Sequence, residues 1–241
     1  MKTAGLLNIS LILFLIGTTC RTSALEWSPQ GEMKAGGLSF AVHVFSKDWK
    51  GYSQGSKKYF SPVEEKNQKT VSGSIQKISI PGLPEGKLET DWQRRSEREG
   101  NYRARLQFPD GAELKTAALC VVLPAAKYRG AVLQVDDRTI TLPEEFRENS
   151  GYNLHAGRIQ KLVLPGNRGP VVLTGNWNVQ IQDSRRHGKD HFLIRIEFQN
   201  SRGKIRSSEF SLKVREENAA FSHLDFRQAA NMGFADSRAE D

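Results

Sequence analysis

The chain has 241 residues, of which 35 are basic and 27 acidic, and its formal net charge is +8. Both signs of charge are interspersed along the chain, so the balance permits an acidic partner without requiring one. Apolar residues make up 38% of the sequence, and the chain contains no internal repeat of fixed period and no low-complexity tract.

The N-terminus has the pattern of a cleavable secretory signal peptide. Lys2 is basic, Leu6 to Ile16 form a short apolar segment, and small residues precede Leu25. We therefore expect residues 1–24 to be removed and the mature chain to be secreted or periplasmic, which also disfavours nucleic acid as a partner. The apolar segment is shorter than the roughly 20 residues that span a bilayer, so we expect no retained membrane helix.

The two cysteines have different expected fates. Cys20 follows the apolar segment, as in a lipoprotein signal, but the three residues before it lack the usual Leu. Cleavage before Leu25 removes Cys20 and leaves Cys120, in the apolar run from Ala117 to Leu123, as a buried and inert thiol. No intrachain disulfide is then possible, so apolar burial has to stabilise the mature fold.

Alternation of apolar and polar residues predicts an antiparallel β-sandwich or jelly roll over residues 25–215. Asn101 to Phe108 and His191 to Phe198 are the clearest half-buried strands. We expect Pro109-Asp110-Gly111 to end the first, and the turn at Asn200 to Gly203 to join the second to a partner strand around Leu212. Further strands are expected at Ser39 to Phe45, Val71 to Ile80, Lys87 to Trp92, Leu119 to Leu123, Ala131 to Val135, Thr139 to Leu142, Ile159 to Leu164, Val171 to Leu173 and Trp177 to Gln182.

Two stretches do not follow this alternation. Lys47 to Asn67 is the longest stretch that we expect to be irregular. Residues 216–241 are expected to be a linker followed by the start of an incomplete next domain, because apolar character resumes at Phe221 and the chain stops at Asp241.

No cofactor, metal or catalytic motif stands out. Gln182 to Phe192 contains two His and two Asp, but Gly188 indicates a hairpin loop, and Arg185 and Arg186 would repel a cation. We interpret this segment as a solvated charged turn. The adjacent carboxylates Glu64-Glu65, Asp136-Asp137 and Glu144-Glu145 are expected in turns, where neighbours point apart rather than face one glycosidic bond.

Aromatic residues next to basic ones are the candidate binding residues. Aromatic rings offer flat apolar faces to sugar rings, and cations can meet carboxylate or sulfate groups. The alternative is that these rings fold back and cap the open end of the sandwich core. Trp177 lies in a strand with Val179 and Ile181, so we expect it in the core itself. The predicted carbohydrate-binding residues are Trp49, Tyr52, Tyr59, Trp92 and Arg94.

Two stretches resemble a known family. Thr174 to Phe198, with Gln180 to Arg185 (QIQDSR) and Phe192 to Ile196 (FLIRI), resembles the N-terminal β-sandwich ahead of catalytic barrels in large secreted bacterial glycoside hydrolases. Asp225 to Asp236, ending in NMGFAD, resembles the opening of a following carbohydrate-binding-like β-domain. The resemblance implies a fragment of a polysaccharide-degrading architecture, with a downstream catalytic domain as partner. It carries over no catalytic residue.

The expected function is therefore a secreted, non-catalytic accessory β-sandwich that binds polysaccharide, including acidic glycans, or packs against a catalytic domain. Two alternatives from other classes remain open. One is a small jelly-roll glycan hydrolase or lyase, and the other is a structural cell-surface or adhesion protein. The enzyme requires carboxylates, or a Tyr/His/Arg set, on inward positions of a concave sheet.

Overall fold

The computed structural model describes residues 25–28, 30–68, 70–146, 148 and 151–217, and this part is nearly all β, as predicted. Its helical segments are α1 (Ala125–Tyr128) and a 3-10 turn (Ser184–His187). The strands are β1 (Leu25–Trp27), β2 (Met33–Ala35), β3 (Leu38–Ser46), β4 (Gly51–Ser53), β5 (Phe60–Asn67), β6 (Val71–Ile78), β7 (Gly86–Arg94), β8 (Glu99–Pro124), β9 (Val132–Val135), β10 (Arg138–Thr141), β11 (Asn153–Leu164), β12 (Val171–Asp183), β13 (His191–Glu197) and β14 (Gly203–Glu216).

The strands pair antiparallel around two long ones, β8 and β12. Both of these strands pair with β13 and with β14, so the four strands form a closed hydrogen-bonded circuit. The N-terminal half of β8 also carries β7, followed by β6 and β5, whereas its C-terminal half carries β3. β11, β9 and β10 extend the sheet beyond β12.

The predicted alternation places the main core on one side of the strands. Tyr102, Leu106 and Phe108 of β8 are fully buried, whereas Arg103 and Arg105 between them are exposed. Inward residues of nearly every strand join one continuous apolar cluster. Trp177 belongs to this cluster, as expected for a residue in phase with the core side of its strand.

The predicted end of a strand at Pro109-Asp110-Gly111 is wrong. β8 runs through these residues because Gly111 takes a φ of +77°, which a glycine adopts without a steric cost, and Ala112 is again fully buried. The two strands expected within 171–182 likewise form the single strand β12.

The predicted pairing across the turn at Asn200 to Gly203 is also wrong. β13 and β14 do not pair with each other but with different halves of β8, at Ala118–Pro124 and Glu99–Leu114 respectively. A long strand that bends between two sets of partners can accept both, so adjacency in sequence does not produce a hairpin here.

Two segments expected to be irregular are ordered parts of the fold. Lys47 to Asn67 contains β4 and β5. Glu216, expected in the linker, ends β14 with its side chain buried, where it accepts a hydrogen bond from the Gly36 amide at 3.0 Å and pairs with Arg168 at 3.5 Å. The expected signal peptide (1–24) and the expected start of a further domain from Phe221 lie outside the described residues.

Candidate functional site

Trp49 lies at the tip of the turn that joins β3 to β4. The Ser46 amide donates to the Lys50 carbonyl at 3.0 Å, and the Trp49 amide donates to the Ser46 carbonyl at 2.9 Å. These bonds close a tight turn in which Trp49 has a φ of +61°. Gly or Asn is the usual residue in this conformation, and a bulky side chain there is an outlier. The backbone at Trp49 is therefore strained.

The indole ring of Trp49 is held by one aromatic and two cationic side chains, yet half of it faces solvent. Its centroid lies 6.1 Å from the Phe45 ring in an edge-on arrangement. The Lys115 Nζ lies 5.5 Å and the Arg195 Cζ 5.1 Å from the same ring, which is within range of cation–π attraction. The side chain remains 51% exposed. We call Trp49, Phe45, Lys115 and Arg195 the Trp49 platform.

Arg195 is the buried support of this platform. Its β13 position faces away from the main core, opposite Cys120 on β8 and Gln180 on β12. The guanidinium Nη2 donates to the side-chain carbonyl oxygens of Gln180 and, at 2.6 Å, Gln182. Both amide groups donate in turn to the Asn153 Oδ1, which fixes their orientation.

The charge of Arg195 is poorly compensated inside the described part of the chain. The side chain is 5% exposed, its Nε has no hydrogen-bond partner, and no described carboxylate lies within ion-pair distance of it. Burial lowers the pKa of Arg195 from its usual value, which expresses the cost of keeping this cation away from water. The platform therefore carries a positive charge beneath its aromatic surface.

Cys120 lies in a small second core under the platform. It packs with Phe45 and Ala118, and Leu193 covers the cluster from β13. Burial raises the pKa of the Cys120 thiol to about 12, so the group stays protonated at neutral pH. The expected burial of Cys120 is confirmed, and a thiol with a raised pKa forms little of the thiolate that acts as a nucleophile.

The structure separates the residues that the sequence grouped with Trp49. Tyr52 pairs in register with Val44, so it points to the main-core side of β3, opposite to the platform. Its ring meets the Tyr59 ring edge-on at 4.9 Å, and both pack against the main core. Tyr52 and Tyr59 thus belong to a different surface from Trp49.

Trp92 was predicted to be a surface residue that binds carbohydrate, but the structure buries it. It is in phase with Leu88 on the inward side of β7 and is 3% exposed. Its ring covers Gly100, where an added Cβ would lie 2.2 Å from the ring, so the indole fills the space that glycine leaves. Arg94, two residues later, is exposed, and its Nη2 donates to the Leu25 carbonyl at 3.5 Å.

The charged segment after β12 is a hairpin loop, as predicted. Its first residues, however, are buried rather than solvated. Asp183 is 3% exposed, caps the 3-10 turn through the Arg185 amide at 3.1 Å, and forms an ion pair with Arg185 at 2.7 Å. Within the described residues, no group of three or more His, Cys, Asp or Glu side chains is placed to hold a metal ion.

Asp136-Asp137 lie in a turn and Glu144-Glu145 in a bend, as expected, but the third carboxylate pair does not. Glu64 and Glu65 are in β5 rather than in a turn. Asp136 has a φ of +49° and accepts the amides of Gln160 and Lys161, both at 2.9 Å, so its carboxylate holds a loop together. Neither setting resembles two carboxyl groups facing across a substrate.

Neither the helices nor the sequence comparisons assign a function to the chain. None of the helices in the described ranges has the length and apolar character needed to cross a lipid bilayer. No protein-family model matches the chain, and no curated protein sequence matches it either.

Proposed function

We propose that the chain is a secreted, non-catalytic accessory module of a polysaccharide-degrading protein, and that it binds glycan through the Trp49 platform. The observation that carries the proposal is the half-exposed indole of Trp49, held in a strained turn over a buried arginine. Sugar rings present apolar C–H faces that stack on such a surface, and neighbouring polar groups can form hydrogen bonds with the sugar hydroxyl groups.

The backbone of the turn supports a binding role for Trp49. A bulky residue in the left-handed conformation costs about 1–2 kcal/mol relative to an ordinary conformation. Such strain is typically kept where a side chain has a task that a turn residue could not perform. Two cation–π contacts and the Phe45 ring hold the indole in one orientation, which lowers the entropy cost of binding.

The charge around Trp49 favours acidic glycans over neutral ones. Lys115 and Arg195 both contact the ring, and Arg195 has no carboxylate partner among the described residues. A sulfate or carboxylate group next to the stacked sugar would gain from both cations. We expect weak binding that weakens further as salt rises, because exposed charges are screened within about 10 Å at 0.1 M.

A two-layer β-sandwich is the architecture that we propose for the module. Support comes from β8 and β12, since each pairs with β14 along one part and with β13 along another. Strands that change partners in this way are typical of the corners between packed sheets. The first described residue, Leu25, is buried in β1, so removal of residues 1–24 would leave this strand intact.

An apolar surface beside the platform favours the second part of the accessory role, packing against a catalytic domain. Val122 is 45% exposed, and its cross-strand neighbour Leu193 is only partly buried. Both face away from the main core. Partly exposed apolar neighbours on a sheet face suit contact with another domain.

Replacement of Trp49 by Gly is expected to abolish the binding of sulfated glycan while changing the free energy of unfolding by no more than about 1 kcal/mol, because relief of backbone strain offsets the lost ring contacts. Native gels containing a sulfated polysaccharide measure the binding, and urea unfolding measures the stability. Tyr59→Ala is the matched control and should migrate like the wild type. Retardation that persists in Trp49→Gly, or that disappears in Tyr59→Ala, would contradict the proposal.

A further inference from the structure

A second polar surface covers the outer side of β7, β8 and β14, away from the Trp49 platform. Side chains on these strands alternate between the main core and this surface, as Trp92 (buried) and Gln93 (exposed) show on β7. The surface consists of rows of cross-strand neighbours, namely Glu89, Arg105 and Glu209; Asp91, Arg103 and Ser211; and Gln93, Asn101 and Lys213.

Two cavities open on this surface, and both are lined by Asp91 and Arg103. The first has a volume of about 400 Å³ and extends to Gln199 and Glu209. The second has a volume of about 370 Å³ and extends to Gln68. Because they share two lining residues, the cavities form one elongated depression along the strands, which we call the Asp91 groove. Each cavity has the size of a small-ligand site.

The outer rows of the groove are neutralised by ion pairs, but the middle row is not. Arg105 Nε donates to Glu209 at 2.8 Å, and Lys213 pairs with Glu99 at 2.8 Å. Asp91 and Arg103 are directly opposite each other, yet neither forms an ion pair within the described residues. Their hydrogen-bonding capacity is therefore open to a ligand.

The neighbours of the middle row on β6 and β14 are small residues. Gly73 is the cross-strand neighbour of Asp91 on β6, and it contributes no side chain to the surface. Ser211, the neighbour of Arg103 on β14, contributes only a hydroxyl group. On the β14 side, a ligand could thus lie over the middle row without displacing a large side chain.

We infer that the Asp91 groove binds a neutral oligosaccharide, as a second site separate from the Trp49 platform. A carboxylate accepts and a guanidinium donates paired hydrogen bonds, and neighbouring hydroxyls of a sugar supply both complements. The lining carries three carboxylates (Glu89, Asp91 and Glu209) against two guanidinium groups. This near balance disfavours a strongly charged ligand, which meets repulsion from one sign, and favours a neutral polyol.

Isothermal titration of the intact protein with neutral hexasaccharides of β-1,4-glucan, β-1,4-mannan, β-1,4-xylan and α-1,4-glucan tests the inference. We expect at least one to bind, and Asp91→Asn and Arg103→Gln each to weaken its binding about tenfold or more, as loss of a hydrogen bond to a charged group does. Asp110→Asn, the same change at an exposed carboxylate outside the groove, is the matched control and should bind like the wild type.

The Trp49→Gly variant separates this inference from the proposed function. It should keep neutral-hexasaccharide binding in the Asp91 groove while losing retardation by sulfated polysaccharide. Absence of binding to all four hexasaccharides, or binding unchanged in both groove variants, would overturn the inference. Both groove residues are on the surface side of their strands, so circular dichroism should show wild-type folding in each variant.

Discussion

Replacement of Trp177 by Ala is expected to lower the free energy of unfolding by about 3–5 kcal/mol, the usual cost of deleting a large buried aromatic side chain. Trp177 is 4% exposed and stacks on Phe210 at 6.1 Å. Its Nε1 donates to the Ser211 carbonyl at 2.8 Å, so the ring joins β12 to β14 through both packing and a hydrogen bond. Urea unfolding followed by circular dichroism measures the loss.

Trp49→Ala is the matched control for this prediction, because it deletes the same ring from a half-exposed position. We expect it to change stability by less than about 1 kcal/mol, as is usual for surface substitutions. Equal losses in the two variants would show that the assignment of one tryptophan to the core and the other to the surface is wrong.

Acidification from pH 7 to pH 4 is expected to destabilise the protein through His43. Burial lowers the pKa of His43 from 6.5 to about 4. Between these values the unfolded chain binds a proton that the folded chain does not, so the stability present above pH 6.5 is lost as the pH falls toward 4. The full shift corresponds to a loss of up to about 3 kcal/mol.

The surroundings of His43 explain the direction of this shift. Its ring lies 6.0 Å from the Phe45 ring, and Ala118 is its neighbour on β8. The next residue in the same row, Glu197 on β13, is engaged by Arg202 at 2.6 Å. The imidazolium form would therefore lose water without gaining a free carboxylate.

Urea unfolding of the wild type and of His43→Gln at pH 7 and pH 4 checks this prediction. The wild type should lose up to about 3 kcal/mol more than the variant, since glutamine has no proton to bind in this range. His187→Gln, at an exposed histidine on the 3-10 turn, is the control and should behave like the wild type. An identical pH dependence in wild type and His43→Gln would contradict the assignment.

Much of the fold could be predicted from the sequence because period-two alternation survives wherever one face of a strand is buried. The positions of β3, β6, β13 and about half of β8 follow from it. Pairing could not be predicted in the same way. At Gly111 the chain bends within β8 where the sequence indicates the end of a strand. β14 does not pair with β13, which precedes it in the sequence, but with β8 and β12.

Of the residues in the Trp49 platform, only the exposed Trp49 could be predicted from the sequence. Trp49 stands out because it lies in a glycine- and lysine-rich loop, whereas Trp92 is in phase with Leu88, a pattern that indicates the core. Arg195 was missed as a site residue because it occupies an ordinary polar position of an alternating strand. The continuous apolar run around Cys120 was the available signal, since it indicates a strand buried on both faces.

The central claim, that glycan binds at Trp49, is tested most directly by the indole N–H signals of the four tryptophans in a ¹H–¹⁵N spectrum, assigned with single Trp→Phe variants. On titration with a sulfated hexasaccharide, the account predicts that the Trp49 signal shifts progressively and saturably, while the signals of the buried Trp92 and Trp177 stay in place. A Trp49 signal that does not move under saturating hexasaccharide, or movement confined to the other tryptophans, would contradict it.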